Sequence, residues 1–128
     1  MPRKVIYSEK APKAIGPYSP AIQTPLYVYT SGQIGLDPAT RELVAGGIEA
    51  ETRQVIINLS NLLDAAGTSL SAVVKTTVFL RDMADFERMN AVYAEFFTDE
   101  PPARTTVAAA ALPRGAAVEI DAVAYLGD

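Results

Sequence analysis

Two charged residues, Arg104 and Glu119, stand almost alone in otherwise apolar segments near the end of the chain. Both segments predict strands, and charged side chains are rarely buried without a partner. Arg104 is therefore a candidate binding group for the carboxylate of a small ligand, because a guanidinium binds a carboxylate through two parallel hydrogen bonds. Glu119 is then the nearest candidate for acid–base chemistry.

A purely structural explanation of the same residues is equally compatible with the sequence. Arg104 and Glu119 could pair with each other, or lie at strand ends in water, because structural ion pairs produce the same pattern.

The composition narrows the possible chemistry. The 128 residues, 49% of them hydrophobic, predict a single domain over residues 1–128. The chain contains no His and no Cys, which excludes a Ser-His-Asp triad, a Cys nucleophile, disulfides and nearly every zinc site. Neither nucleotide-binding glycine fingerprint is present. We therefore expect no metal and no cofactor, and chemistry from carboxylate, hydroxyl, amide, cationic or backbone groups.

The charge distribution and the apolar runs bear on partners and location. The net charge of −4 and the scattered cations disfavour nucleic acid as a partner. No apolar run approaches the ~18–20 residues that span a bilayer. Residues 1–4 lack an apolar segment behind their two basic residues, so no secretory signal is predicted and the expected location is the cytoplasm.

The elements that must position Arg104 and Glu119 follow from periodicity. Strands are predicted over residues 4–7, 26–31, 72–81, 104–110 and 117–126, and helices over 48–66 and 83–97. Gly67 fits the end of the first helix, and Asp82 or Asp85 can cap the second. This order predicts an α+β fold with both helices on one face of a mixed sheet of five or six strands.

The last strand predicts which face of the sheet the helices cover. Alternate residues from Val118 to Leu126 are all apolar and belong under the helices. The opposite face is mixed, and we assign to it Ala117, Glu119 and, from the strand before the second helix, Val73. This face is too apolar to remain comfortably in water, so we predict an oligomer interface beside Glu119.

Six short segments occur in an order and at spacings that resemble the RidA/YjgF family. They are Ala-Ile-Gly-Pro-Tyr-Ser at 14–19, Thr-Ser-Gly-Gln-Ile at 30–34, Val-Lys-Thr-Thr-Val-Phe-Leu at 74–80, Met-Asn-x-x-Tyr-x-x-Phe-Phe at 89–97, Pro-Ala-Arg at 102–104 and Val-Glu-Ile at 118–120. The resemblance implies a chorismate-mutase-like fold and a homotrimer around a central barrel, with clefts between subunits. It also implies hydrolysis of reactive 2-imino and enamine acids, such as 2-iminobutanoate and 2-iminopropanoate, to 2-keto acids and ammonia.

By this resemblance, three residues would carry the reaction. Arg104 would hold the substrate carboxylate, and Glu119 would position the attacking water and move protons. Tyr18 would be a wall of the cleft whose hydroxyl contacts substrate or water; the alternative for Tyr18 is a loop aromatic that packs on the core.

The resemblance assigns supporting roles to four further positions. Ser31 and Gly32 would line the cleft with backbone groups, although ordinary turn chemistry explains them equally well. Asn90 would brace the cleft or bond a loop. Relatives often carry Cys at the position of Thr106, whose backbone would help to place water, so this substitution bears on substrate choice.

Two other functions compete with the deaminase. A binding or regulatory module of the same family could hold a small carboxylate without catalysis. Ribonuclease or translation-inhibiting activity, also found in the family, is disfavoured by the absence of His and by the acidic balance.

Overall fold

A computed structural model describes residues 2–127 as a mixed sheet of six strands with two helices. The strands and helices, in chain order, are β1 (Lys4–Ile6), β2 (Ala21–Gln23), β3 (Tyr27–Thr30), α1 (Gly47–Ala65), β4 (Val73–Leu80), α2 (Phe86–Phe96), β5 (Ala103–Ala108) and β6 (Val118–Tyr125). The strand order in the sheet is β1-β2-β3-β6-β4-β5. Only β4 and β5 run parallel; every other pair is antiparallel. The predicted α+β class and the predicted strand number are confirmed.

The first helix forms because its apolar stripe is buried against the sheet. Residues along one side of α1 are at most 4% exposed: Ile48, Val55, Ile56, Leu59, Leu62 and Leu63. At its end, Gly67 has a φ of +87°, and its N–H donates to the Asp64 carbonyl at 3.0 Å. The glycine predicted near this end therefore lies one residue beyond the cap Ala66 and turns the chain away from the helix.

The second helix begins through a short 3₁₀ turn. The Asp82 carboxylate accepts a hydrogen bond from the Ala84 N–H at 2.9 Å, and residues Met83–Asp85 form the turn. The regular α-helix then begins at Phe86, three residues later than predicted. Of the two predicted caps, Asp82 is the one whose side chain bonds the backbone.

The two faces of the sheet differ as predicted, with two corrections. In β6, Val118, Ile120 and Ala122 are at most 2% exposed beneath the helices. Val73, expected on the opposite face, is buried because the β4–β6 register shifts between Val73 and Lys75. Ala117 is also buried, because it precedes β6 and its N–H donates to Glu51 Oε1 at 2.9 Å.

Candidate functional site

Glu119 lies on the sheet face turned away from the helices, and its carboxylate lies close to Gly32. A backbone bridge between Gln33 and Ile120, with hydrogen bonds of 2.9 and 3.0 Å, places the segment after β3 beside the start of β6. A Cβ atom at position 32 would lie 2.9 Å from Glu119 Cδ and closer still to the carboxylate oxygen. The absence of a side chain at Gly32 therefore creates the space that the Glu119 carboxylate occupies.

A cavity of about 460 Å³ opens onto this carboxylate and collects four of the predicted site residues. Tyr18, Ser31, Gly32 and Glu119 all line it. Ser31 Oγ donates to the Ser19 carbonyl at 2.6 Å, so its hydroxyl hydrogen is engaged with the chain. The Tyr18 hydroxyl accepts from the Ile15 N–H at 3.1 Å and keeps its own hydrogen to donate.

The surroundings of Glu119 favour a proton on its carboxyl group. Burial raises the pKa of Glu119, and the negative charge of Asp121 on the same face raises the pKa further. A carboxylate with a raised pKa is a stronger base than an ordinary one, so Glu119 is suited to accept a proton and return it.

Arg104 lies on a pair of aromatic rings, and no carboxylate of residues 2–127 forms an ion pair with it. Its Cζ atom is 4.8 Å from the Tyr93 ring centroid and 5.7 Å from that of Phe86. The ion pairs of residues 2–127 are Arg53–Glu95 and Arg88–Asp85, and neither involves Arg104. Tyr93 is fixed by a 2.8 Å hydrogen bond between its hydroxyl and Thr76 Oγ1. The guanidinium is therefore held against these rings, with its charge available to a ligand.

Two unsatisfied polar atoms accompany the guanidinium. Asn90 Oδ1 and Thr106 Oγ1 are buried without a hydrogen-bond partner. Asn90 shares a helix face with Phe86 and Tyr93, the rings beneath Arg104, because three or four residues separate them. Thr106 shares a strand face with Arg104, because two residues separate them. Buried polar atoms of this kind normally find a partner. The environment of Arg104 therefore offers further hydrogen-bonding groups.

Strand register separates Arg104 from Glu119. Glu119 pairs with Phe79, whereas Arg104 pairs with the fully buried Thr76. Phe79 and Thr76 are three residues apart in β4 and therefore face opposite sides of the sheet. Within one chain, Arg104 lies on the helix side and Glu119 on the open side. The structural alternative in which these two residues pair with each other is wrong for a single chain.

Three residues around the sites were not selected by the sequence patterns. Phe86 and Tyr93 support Arg104; Tyr93 stands in one of the six family segments, but neither residue was assigned a role in the site. Arg114 lines the Glu119 cavity from the turn before β6. Only the tertiary fold brings that turn to the cavity, so its sequence carried no signal.

Two features are absent from residues 2–127: a cluster of metal-binding side chains and a membrane-spanning helix. No group of three or more acidic residues in this part of the chain is arranged to bind a metal ion. Neither α1 nor α2 has an apolar stretch long enough to cross a bilayer.

Comparison with known proteins agrees with this architecture. Protein DfrA of Myxococcus xanthus is 53% identical over 97% of this chain and 96% of its own length. The 2-iminobutanoate/2-iminopropanoate deaminase of Mus musculus is 51% identical over 98% of this chain and 93% of its own.

Solved structures give the same result. The Rid-family protein YyfA of Yersinia pestis superposes with a TM-score of 0.93 at 44% identity, covering 96% of this chain and 98% of that one. TdcF of E. coli with bound serine gives a TM-score of 0.90 at 39% identity, over 95% and 98% of the two chains. A family model described as Endoribonuclease L-PSP matches residues 8–126. The chain therefore belongs to the RidA/YjgF family.

Proposed function

We propose that this protein hydrolyses reactive 2-imino and enamine acids, 2-iminobutanoate and 2-iminopropanoate among them, to 2-keto acids and ammonia. The observation that carries the proposal is the Arg104 guanidinium, held on two rings without a carboxylate partner. Such a group is suited to bind the carboxylate that every 2-imino acid bears. The deaminase names of close relatives support the same reaction. We place this activity in the cytoplasm, with no cofactor.

We further propose a homotrimer whose sites lie at subunit boundaries. One chain presents Arg104 and Glu119 on opposite sides of its sheet, so a site that uses both needs two copies. The open side also carries large exposed apolar residues: Tyr29 at 45%, Val107 at 40% and Tyr125 at 40%. Burying this face between copies would remove them from water and bring Glu119 close to the boundary.

The chemistry proposed for the site is modest. Arg104 and the backbone at Thr106 hold the substrate, while Asn90 braces the helix beside them. A water molecule attacks the protonated imine carbon as Glu119 accepts its proton, and Glu119 then returns the proton to nitrogen. Glu119, ionised again, then takes the hydroxyl proton as the carbonyl forms and ammonia leaves. The Tyr18 hydroxyl, together with the backbone at 31–32, orients the water and the developing oxygen.

The direct test is the rate at which the protein accelerates imine hydrolysis. Threonine dehydratase generates 2-iminobutanoate, and the appearance of 2-ketobutyrate is followed with and without the protein. We expect acceleration above the spontaneous rate. Binding of 2-ketobutyrate without acceleration would instead identify a small-carboxylate binding module, the function that relatives with other names leave open.

The pH profile of the reaction reports on Glu119. Asp121 contributes to the raised pKa of Glu119, so Asp121→Asn is expected to lower that pKa. Because the ionised carboxylate accepts the proton from water, activity is lost as pH falls through the Glu119 pKa. The acid limb of kcat/KM should therefore move to lower pH in Asp121→Asn. An unchanged limb would show that another group controls it.

Gly32→Ala tests the packing of the carboxylate on the backbone. The added methyl group must displace Glu119, and a misplacement of this size costs on the order of 10- to 100-fold in kcat/KM. The same substitution in a Glu119→Gln background should cost little more, because the displaced group is already inactive. Additive losses would contradict this explanation.

A further inference from the structure

Two cations, Lys13 and Arg114, line the same cavity as Glu119. The chain carries a net charge of −4, so two cations beside one carboxylate in this cavity differ from the overall excess of acidic residues. The ion pairs of residues 2–127 involve neither of them. A second cavity shares Lys13 and adds Arg41, with Glu9 as its acidic lining residue. The lining of the Glu119 cavity therefore carries two cations, which attract anions.

Arg114 is fixed in the cavity lining by a hydrogen bond between two turns with left-handed backbones. Its Nη1 donates to the Arg41 carbonyl at 2.9 Å, across 73 positions of sequence. Both arginines have left-handed backbones, with φ of 60° and 64°. Non-glycine residues in this region carry a conformational cost and concentrate at functional sites. One guanidinium nitrogen is anchored, and the remaining N–H groups stay free to bind a ligand.

The charge of Arg114 is not used to stabilise the Glu119 carboxylate. The pKa of Glu119 is raised by burial and by Asp121, whereas a cation in contact with the carboxylate would lower it. The Arg114 charge therefore acts on another part of the cavity. This leaves it available to a group of the ligand that lies away from the reacting carbon.

The cavity has room for such a group. Its volume of about 460 Å³ falls within the range of roughly 300–1,000 Å³ that holds drug-sized ligands. A four-carbon imino acid fills only part of this space. A longer side chain can extend from Glu119 along apolar walls formed by residues such as Ile34 and Pro113.

We propose that Arg114, assisted by Lys13, forms a subsite for a distal carboxylate, so that the protein takes the imines of 2-aminodicarboxylic acids. The proposal deepens the proposed function and rests on it. The 2-carboxylate is bound by Arg104 of a neighbouring copy, the imine carbon lies at Glu119, and the second carboxylate reaches Arg114. Arg114 thereby determines specificity and takes no part in the proton transfers.

The test uses stable keto acids in place of the reactive imines. Binding of 2-oxoglutarate and of 2-oxohexanoate is measured by calorimetry on the intact oligomer. The unaltered protein is expected to bind the dicarboxylate more tightly. Arg114→Gln should weaken 2-oxoglutarate binding about three- to tenfold and leave 2-oxohexanoate binding unchanged, because an exposed charged hydrogen bond is lost.

Two further variants make the result decisive. Arg53→Gln removes the same charge from the outer surface of α1 and should change neither affinity. Arg114→Gly suits the left-handed backbone and should reproduce the loss in a chain whose turn is unstrained. Equal affinity for both keto acids, with imine hydrolysis intact, would overturn the subsite alone. Failure to bind either acid would overturn the subsite and also contradict the proposed Arg104 site.

Discussion

Arg104→Ala is expected to lower kcat/KM for 2-iminobutanoate on the order of 100- to 1,000-fold, the loss typical of removing a charged group that holds the reacting molecule. The guanidinium lies on Tyr93 and Phe86 without a carboxylate of its own. Its removal therefore takes away substrate binding and leaves no buried anion unpaired. The measurement is 2-ketobutyrate formation from dehydratase-generated imine, with the spontaneous rate subtracted.

Arg104→Lys is the matched control because it retains the charge and loses the planar fork. We expect it to recover only part of the loss, since one ammonium group cannot form two parallel bonds. Both variants should unfold within a few degrees of the unaltered protein, because β5 is an edge strand and Arg104 is only partly buried. Full activity in Arg104→Ala would show that the guanidinium does not bind the substrate carboxylate.

Much of the fold could be predicted because its signals are local. The stripe of α1 and the alternation of β6 each express burial within one element, and both are confirmed. The strand β2 was missed because it is only three residues long, in a four-residue segment between two prolines, and provides too little alternation. Its pairing with β1 and β3 depends on contacts between separate segments, which no short stretch of sequence contains.

The site was predictable in residue type but not in arrangement. Arg104 and Glu119 were conspicuous because charges are rare in apolar strands. Their placement on opposite sides depends on the register Thr76 with Arg104 and Phe79 with Glu119. Register is a long-range property, and a slip of one residue in either pair would place the two charges on the same face.

Because of that separation, a mixture of two inactive variants is expected to regain activity. Arg104→Ala and Glu119→Gln should each be nearly inactive alone. If each site takes Arg104 from one copy and Glu119 from its neighbour, every trimer that contains both variants has one complete site among its three. The two chains are co-expressed with different tags, the mixed oligomers are isolated through both tags, and imine hydrolysis is measured per site.

The matched control mixes Arg104→Ala with the double variant Arg104→Ala, Glu119→Gln. This mixture has the same assembly but no intact Arg104, so no complete site can form and no activity should return. A site built within one chain gives a different outcome, because neither variant then contains a complete site and mixing restores nothing. Recovery of about a third of the activity per site would thus place the reacting carbon between two copies. It would also explain why Arg104, Asn90 and Thr106 keep unpartnered groups in a single chain.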